Sequence, residues 1–172
     1  MLRQAVRLNS LSELAITKLD ILDALDTARG AGLRAALALA PRHPERFEEA
    51  ARLVLSRGRR LRRRSRLEPG ALADGDVLRL DSIGELAGLY AAAAVAFVGG
   101  TLAPVGGHSP IEPAQAGRAP VFGPHTANVR DVAALLLAAD AAVRVPDAAG
   151  LAAAVVEALR DPAAQARRGA RA

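Results

Sequence analysis

The chain has 172 residues, of which 51% are apolar, and it carries a net charge of +5. This length and composition indicate one ordinary domain with a hydrophobic core, and the absence of cysteine excludes disulfide bonds, thiolate metal sites and cysteine catalysis. Aromatic residues make up only 2%, which argues against base stacking on a nucleic acid. The sequence shows neither an apolar run long enough to span a membrane nor a signal peptide, so it predicts a soluble cytoplasmic protein.

The N-terminal segment gives mixed helix and strand signals, and its notable feature is Lys18 and Asp20. Such a pair can stack on and bond a guanine ring, or it can be an ordinary surface pair. Together with RLNSL at residues 7–11, the segment TKLD around this pair resembles the guanine-binding part of adenylosuccinate synthetase. The resemblance ends near residue 26, and that enzyme's phosphate loop and catalytic residues are not found elsewhere in the chain.

The glycine-containing stretch TARGAG at residues 27–32 is the predicted boundary between two parts of the chain. Residues 1–27 are predicted to be an N-terminal extension, and residues 28–172 to be the main domain.

From residue 33 onwards, short apolar runs alternate with longer amphipathic stretches. Strands are predicted at residues 33–40, 76–80, 93–98, 119–122 and 141–145. Helices are predicted at residues 44–55, from 86 onwards, and at 111–116, 129–139, 147–159 and 162–172. This alternation predicts an α/β fold with a Rossmann-like parallel sheet and helices on both faces.

The glycine-rich stretch VGGHSPIE, residues 105–112, reads as a loop that leads into a helix. Its spacing predicts Ser109 as the N-cap, Pro110 as the first helical residue and Glu112 as the partner in a capping box. Free N–H groups and the positive end of the helix dipole at such a start suit a phosphate group. The Glu112 carboxylate has two interpretations, as a cap of its own helix or as an acceptor for ribose hydroxyls.

Other loops carry weaker signals. Arg42 and His43 follow a predicted strand, where they form either a solvated turn or part of a ligand-binding edge. His43, His108 and His125 all fall in such loops, but they lack the carboxylate spacing of a metal site, so no metal is predicted. Ser82 and Glu85 have the spacing of a second capping box.

Residues 57–66 carry seven arginines. The favoured interpretation is a solvated edge of the fold, and the alternative is contact with phosphates or with an anionic membrane face.

Five motifs occur in a distinctive order: APRHPERF (40–47), RRS (63–65), DSIGEL (81–86), FVGGTLAPVGGHSPIEPA (97–114) and FGPHTANVRD (122–131). In this order and spacing they resemble the C-terminal domain of the 3-deoxy-D-manno-octulosonic acid (Kdo) transferases, from about residue 28 to the end. The resemblance implies the C-terminal half of a GT-B glycosyltransferase. That family transfers Kdo from CMP-Kdo to a lipid A precursor in lipopolysaccharide synthesis, at the cytoplasmic face of the inner membrane.

The resemblance also implies that the donor, CMP-Kdo or CMP, is the ligand of this domain and that no cofactor is needed. The residues that match the family's donor-binding loops are Pro41, Arg42, Ile83, Gly84, Glu85, Gly106, Gly107, His108, Glu112, His125 and Asn128. Ser109 stands where the family usually has asparagine.

The family's N-terminal domain carries the acceptor surface, the membrane anchor and the catalytic glutamate, and nothing in this chain matches it. The resemblance therefore implies that none of the present residues is the catalytic base and that lipid A precursor is a partner only together with that other domain. We expect peripheral association with the inner membrane and little or no transfer by this chain alone. The alternatives are a non-catalytic nucleotide-binding module and a guanine-nucleotide function through Lys18 and Asp20.

Overall fold

A computed structural model describes residues 5–9, 15–41, 47–67 and 72–172. The described strands are β1 (Ala5–Asn9), β2 (Ala36–Ala40), β3 (Leu61–Arg63), β4 (Val77–Arg79), β5 (Ala93–Val98), β6 (Pro120–Phe122) and β7 (Val143–Arg144). They form one sheet in the order β3-β4-β2-β1-β5-β6-β7, and every pair is parallel. The predicted parallel α/β architecture is confirmed.

The described α-helices are α1 (Ala15–Gly30), α2 (Phe47–Ser56), α3 (Leu86–Ala92), α4 (Ile111–Gln115), α5 (Arg130–Ala138), α6 (Ala148–Arg160) and α7 (Pro162–Gly169). The last two begin at side-chain caps, because Asp147 accepts from the Gly150 amide and Asp161 accepts from the Ala164 amide, both at 2.8 Å. No helix in the described part of the chain is both long and apolar enough to cross a membrane.

The two faces of the sheet bury different sets of apolar side chains, as alternation along a strand requires. Val95 and Phe97 of β5 pack in a cluster with α1 and α6. Val98 and Phe122 pack in a second cluster with residues of α4 and α5. Helices therefore cover both faces, which explains why the central strands read as short continuous apolar runs.

The N-terminal segment belongs to this architecture. β1 lies at the middle of the sheet, paired with β2 on one side and β5 on the other. The predicted boundary at residues 27 and 28 falls inside α1, which continues to Gly30 because Leu22, Leu25 and Ala28 are buried against the core. The turn at residues 31–32 that ends α1 falls within the glycine-containing break predicted at residues 27–32, and the division into residues 1–27 and 28–172 stays a prediction.

The sheet order places the loops that matter at one edge. The chain moves outward from β1 to β2 and later outward from β5 to β6 and β7 in the opposite direction. Ligands of open parallel sheets bind outside the carboxyl ends of the strands, near the point where the order reverses. The loops after β2, β4, β5 and β6 all lie at this edge.

Candidate functional site

A cleft of about 470 Å³ lies where the loops after β2, β4 and β5 meet. Five of the residues predicted for donor binding line it: Pro41, Ile83, Gly84, His108 and Glu112. Arg42, which was predicted for the same place, and its neighbour His43 lie outside the described residues. The fold thus brings together three motifs that are far apart along the chain.

The wall of the cleft combines apolar and polar groups. Phe47, Leu80 and Leu86 give it an apolar part, and His108 and Glu112 stand among its polar residues. At the rim, the side chain of Ile83 is fully exposed. A large apolar side chain in that position has no core to join, so it offers a surface for a flat ring to cover.

Two glycines let the loop after β5 approach the loop after β6. Gly106 and Gly107 have φ values of +90° and +79°, a region that other residues rarely adopt. A Cβ at Gly106 would lie 2.4 Å from Nδ2 of Asn128, and a Cβ at Gly107 would lie 2.8 Å from the carbonyl oxygen of His125. The Asn128 amide also donates to the Gly106 carbonyl at 2.9 Å. Gly107 has no room for a side chain because a backbone atom stands in the way, whereas at Gly106 the positive φ and the Asn128 side chain both disfavour one.

Thr101 forms hydrogen bonds that connect the loop after β5 to the loop after β6. It was not among the predicted residues. Its side chain is fully buried, and its hydroxyl donates to the Val98 carbonyl at 2.6 Å and accepts from the Gly123 amide at 2.8 Å. Its carbonyl accepts from the His125 amide at 2.9 Å. The sequence signal that could have identified Thr101 is its place directly after a buried strand and two glycines.

The start of α4 differs from the prediction. The N-cap is Pro110, and no side chain caps it, so the capping box of Ser109 and Glu112 is wrong. The Ser109 hydroxyl instead accepts from the Ile111 amide at 3.3 Å. The Glu112 side chain is therefore not used as a cap, and it lies exposed on the wall of the cleft.

The second predicted capping box, at Ser82 and Glu85, is also wrong. Glu85 is the N-cap of α3 but makes no side-chain cap. Its carboxylate instead accepts from the Ser82 hydroxyl and forms an ion pair with Arg64. These contacts, the Ser82 hydrogen bond foremost, lower the pKa of Glu85 below its ordinary value. Glu85 is not among the described residues of the cleft wall; it supports the loop that carries Ile83 and Gly84.

Asp81 holds the other end of this loop. Its carboxylate accepts from the amide and the hydroxyl of Ser65, at 2.9 and 3.0 Å, and pairs with Arg79 at 3.3 Å. Burial alone would raise the pKa of Asp81, but these hydrogen bonds hold it below the ordinary value. Arg79 is itself buried; it reaches Glu48 at 3.3 Å and stacks on the Phe47 ring at 5.1 Å.

The arginine-rich stretch lies at the edge of the sheet, as the favoured interpretation predicted, because β3 is the end strand and the residues around it are exposed or half-buried. Five of its seven arginines form ion pairs with carboxylates of other elements: Arg57 with Asp23, Arg59 with Asp26, Arg60 with Asp76, Arg63 with Glu48 and Arg64 with Glu85. These pairs tie the edge of the sheet to α1, α2 and the loop after β4.

A second cavity of about 310 Å³ is lined in part by the glycine-rich loop that follows β5, here called the glycine loop. Gly106 and His125, both predicted for donor binding, line it together with Thr126 and Arg130. Its described wall thus joins the loop after β5 to the loop after β6. In the part of the chain that the structure describes, no group of three or more histidine, aspartate or glutamate side chains is placed to hold a metal ion.

The predicted guanine-binding pair lies elsewhere. Lys18 and Asp20 are in α1, and the structure describes the backbone of Lys18 but not its side chain. Burial, together with the carboxylate of Asp23, raises the pKa of Asp20 above its ordinary value. Neither residue is among the described residues that line the cleft.

Comparison with known proteins shows that the chain belongs to the family of 3-deoxy-D-manno-octulosonic acid transferases. The 3-deoxy-D-manno-octulosonic acid transferase of Bordetella pertussis is 45% identical over 132 residues, which are 76% of this chain and 30% of that protein. The transferase of Haemophilus influenzae is 37% identical over 124 residues, 72% of this chain and 29% of that protein. No family model matches the chain.

A solved structure agrees with the similarity to these transferases. The C-terminal CMP-Kdo binding domain of WaaA from Acinetobacter baumannii superposes with a TM-score of 0.84 and 29% identity, over 98% of this chain and 86% of that domain. The chain spans about a third of the length of the transferases it matches. The resemblance to the C-terminal domain of this family is confirmed, and so is the fold that it implied.

Proposed function

We propose that this chain, a homologue of the C-terminal domain of the 3-deoxy-D-manno-octulosonic acid transferases, binds CMP-Kdo as the donor half of a glycosyltransferase. The observation that carries the proposal is the cleft at the carboxyl ends of the strands. Five residues that match the donor-binding motifs, from three loops, meet in it. The related domain from Acinetobacter baumannii, which covers nearly the whole chain, is described as CMP-Kdo binding.

The contacts suggest how the nucleotide is held. The exposed side chain of Ile83 and the backbone at Gly84 form a rim against which the cytosine ring packs. The Glu112 carboxylate, free of any capping role, accepts from the ribose hydroxyls. The phosphate lies at the loop after β5, beside His108, which lines the cleft.

The complete reaction needs more than this domain supplies. In Kdo transfer, an acceptor hydroxyl attacks the anomeric carbon and CMP leaves, so a general base must take the hydroxyl proton. We assign the base and the lipid A acceptor surface to the N-terminal part of the relatives, about two thirds of their length, which this chain does not match. Transfer at the cytoplasmic face of the inner membrane is part of the same proposal.

Titration calorimetry with CMP tests the proposal. We expect the folded chain to bind CMP and Glu112→Gln to bind about tenfold more weakly, because a charge-assisted hydrogen bond to the ribose is lost. The matched control is Glu157→Gln on α6, which lies exposed on the opposite side of the sheet and should leave the affinity unchanged. No binding by a chain with a folded circular-dichroism spectrum, or equal loss in both variants, would contradict the proposal.

A further inference from the structure

The second cavity has a feature that the nucleotide contacts proposed above leave unused. Arg130, the first residue of α5, lines it beside Gly106, His125 and Thr126. The Arg130 side chain is exposed and forms no ion pair with any carboxylate in the part of the chain that the structure describes. Asp131, the next residue, forms no ion pair with another described residue either. Arg130 is thus a cation at a cavity wall with its hydrogen-bonding capacity available.

Most arginines close to the cleft are committed elsewhere. Arg64 is paired with Glu85, and Arg79 is paired with Asp81 and Glu48. The described wall of the main cleft contains neither arginine nor lysine. Among the described residues of the two cavities, the fixed positive charge therefore lies in the second cavity.

We propose that the second cavity binds the carboxylate of the donor sugar and that Arg130 is its charged partner. This inference rests on the proposed function. The sugar named for the relatives is an octulosonic acid, so the donor carries a carboxylate as well as a phosphate. The planar guanidinium of arginine presents two parallel N–H groups that match a carboxylate.

The geometry of the glycine loop connects the two binding places. His108 lines the main cleft and Gly106 lines the second cavity, so one short loop forms a wall of each. A nucleotide in the main cleft with its phosphate at this loop directs the attached sugar across it, towards Arg130. The position of Arg130 in the first turn of α5 adds the favourable end of the helix dipole for an anion.

The consequence is selectivity for acidic sugars. A donor with a neutral sugar forms no ion pair with Arg130, so its affinity equals that of the nucleotide alone. The carboxylate supplies the additional affinity, and the nucleotide contacts are independent of it.

The test measures dissociation constants of CMP, CMP-Kdo and the methyl ester of CMP-Kdo for the unmodified chain, Arg130→Met and the control Arg144→Met. Arg144 is an exposed arginine of β7 that lines neither cavity. We expect Arg130→Met to weaken CMP-Kdo about tenfold or more and to leave CMP unchanged, since one charge-assisted contact is lost. The methyl ester should show the same loss with the unmodified chain and no further loss with Arg130→Met.

The outcomes separate this inference from the proposed function. If Arg130→Met weakens CMP as much as CMP-Kdo, Arg130 contacts the phosphate and the inference is overturned. If CMP-Kdo and its methyl ester bind Arg130→Met as tightly as they bind the unmodified chain, it is also overturned. If the folded, unmodified chain binds neither CMP nor CMP-Kdo, both the inference and the proposed function fail. Thermal melting of each variant confirms that it is folded.

Discussion

The two walls of the cleft are held by different physics. On one wall, the loop after β5 is held by close packing and by uncharged hydrogen bonds to backbone groups. Its glycines have positive φ, and the buried hydroxyl and the carbonyl of Thr101 bond the loop after β6. On the other wall, the loop 81–86 is held by charge, through Asp81, Glu85 and two arginines. The first wall should resist acid and fail on small changes of shape, whereas the second should tolerate changes of shape and weaken in acid.

The largest expected effect is steric. In Gly123→Ala, the new Cβ would lie 2.2 Å from the carbonyl oxygen of Thr101, a backbone atom that cannot move away cheaply. We expect the free energy of unfolding to fall by about 3 kcal/mol in chemical denaturation.

The matched control for this change is Gly88→Ala in α3, where a Cβ meets nothing within 4 Å. It should raise the free energy of unfolding by about 0.5–1 kcal/mol, because alanine is the better helix former. A loss of stability in Gly123→Ala no larger than that of an exposed loop substitution would mean that the backbone contact with Thr101 is not the one that fixes this wall.

The next effect is the loss of a buried hydroxyl. Thr101→Val keeps the shape but leaves the Gly123 amide without its acceptor, so we expect a loss of about 2 kcal/mol in the free energy of unfolding. Thr27→Val in α1 is the control, since its hydroxyl bonds a carbonyl of its own helix at the exposed surface. It should cost less than about 0.5 kcal/mol. Equal losses in the two variants would show that Thr101 has no special part in the loop.

The smallest expected effect depends on pH and belongs to the charged wall. The pKa of Asp81 is lowered in the fold, so its contribution to stability is present above the unfolded pKa of about 3.9 and is lost as the pH falls through the folded pKa. Asp81→Asn should therefore cost about 1 kcal/mol at neutral pH.

That difference in the free energy of unfolding between Asp81→Asn and the unmodified chain should shrink towards zero as the pH is lowered below the folded pKa of Asp81. Thr101→Val provides the contrast, because its loss should stay constant over the same range. A pH-independent loss in Asp81→Asn would contradict the assignment of this wall to charge.

The sequence was a good guide to the first wall and a poor one to the second. Strands such as β2 and β5 are short apolar runs between turn residues, and their burial on both faces makes them readable without knowledge of the partners. The glycine loop was also recognisable, because positive φ and close approach demand glycine at those places.

The partners of the charged side chains could not be predicted from the sequence. The spacing of Ser82 and Glu85 predicted a capping box, but the Glu85 carboxylate pairs with Arg64, which is 21 residues away along the chain. The ion pairs of the arginine-rich stretch could not be predicted for the same reason, since its carboxylate partners come from other elements. Local spacing contains no information about these tertiary contacts.

The position of the N-terminal segment in the sheet could not be predicted from the sequence either. The alternation in β1 is only five residues long, and its place at the centre of the sheet depends on pairing with β2 and β5. Lys18 and Asp20 suggested a ligand site, but they lie in a helix, and neither is among the described residues of the cleft. A short motif acquires its meaning from the element that carries it.

An amide-resolved NMR titration of the chain with CMP tests most directly whether the nucleotide binds in the cleft. We expect the largest chemical-shift changes in the loops at residues 81–86 and 105–112, with the amides of α6 unaffected. Changes confined to α1 around Lys18 and Asp20, or no change at millimolar CMP in a folded chain, would contradict it.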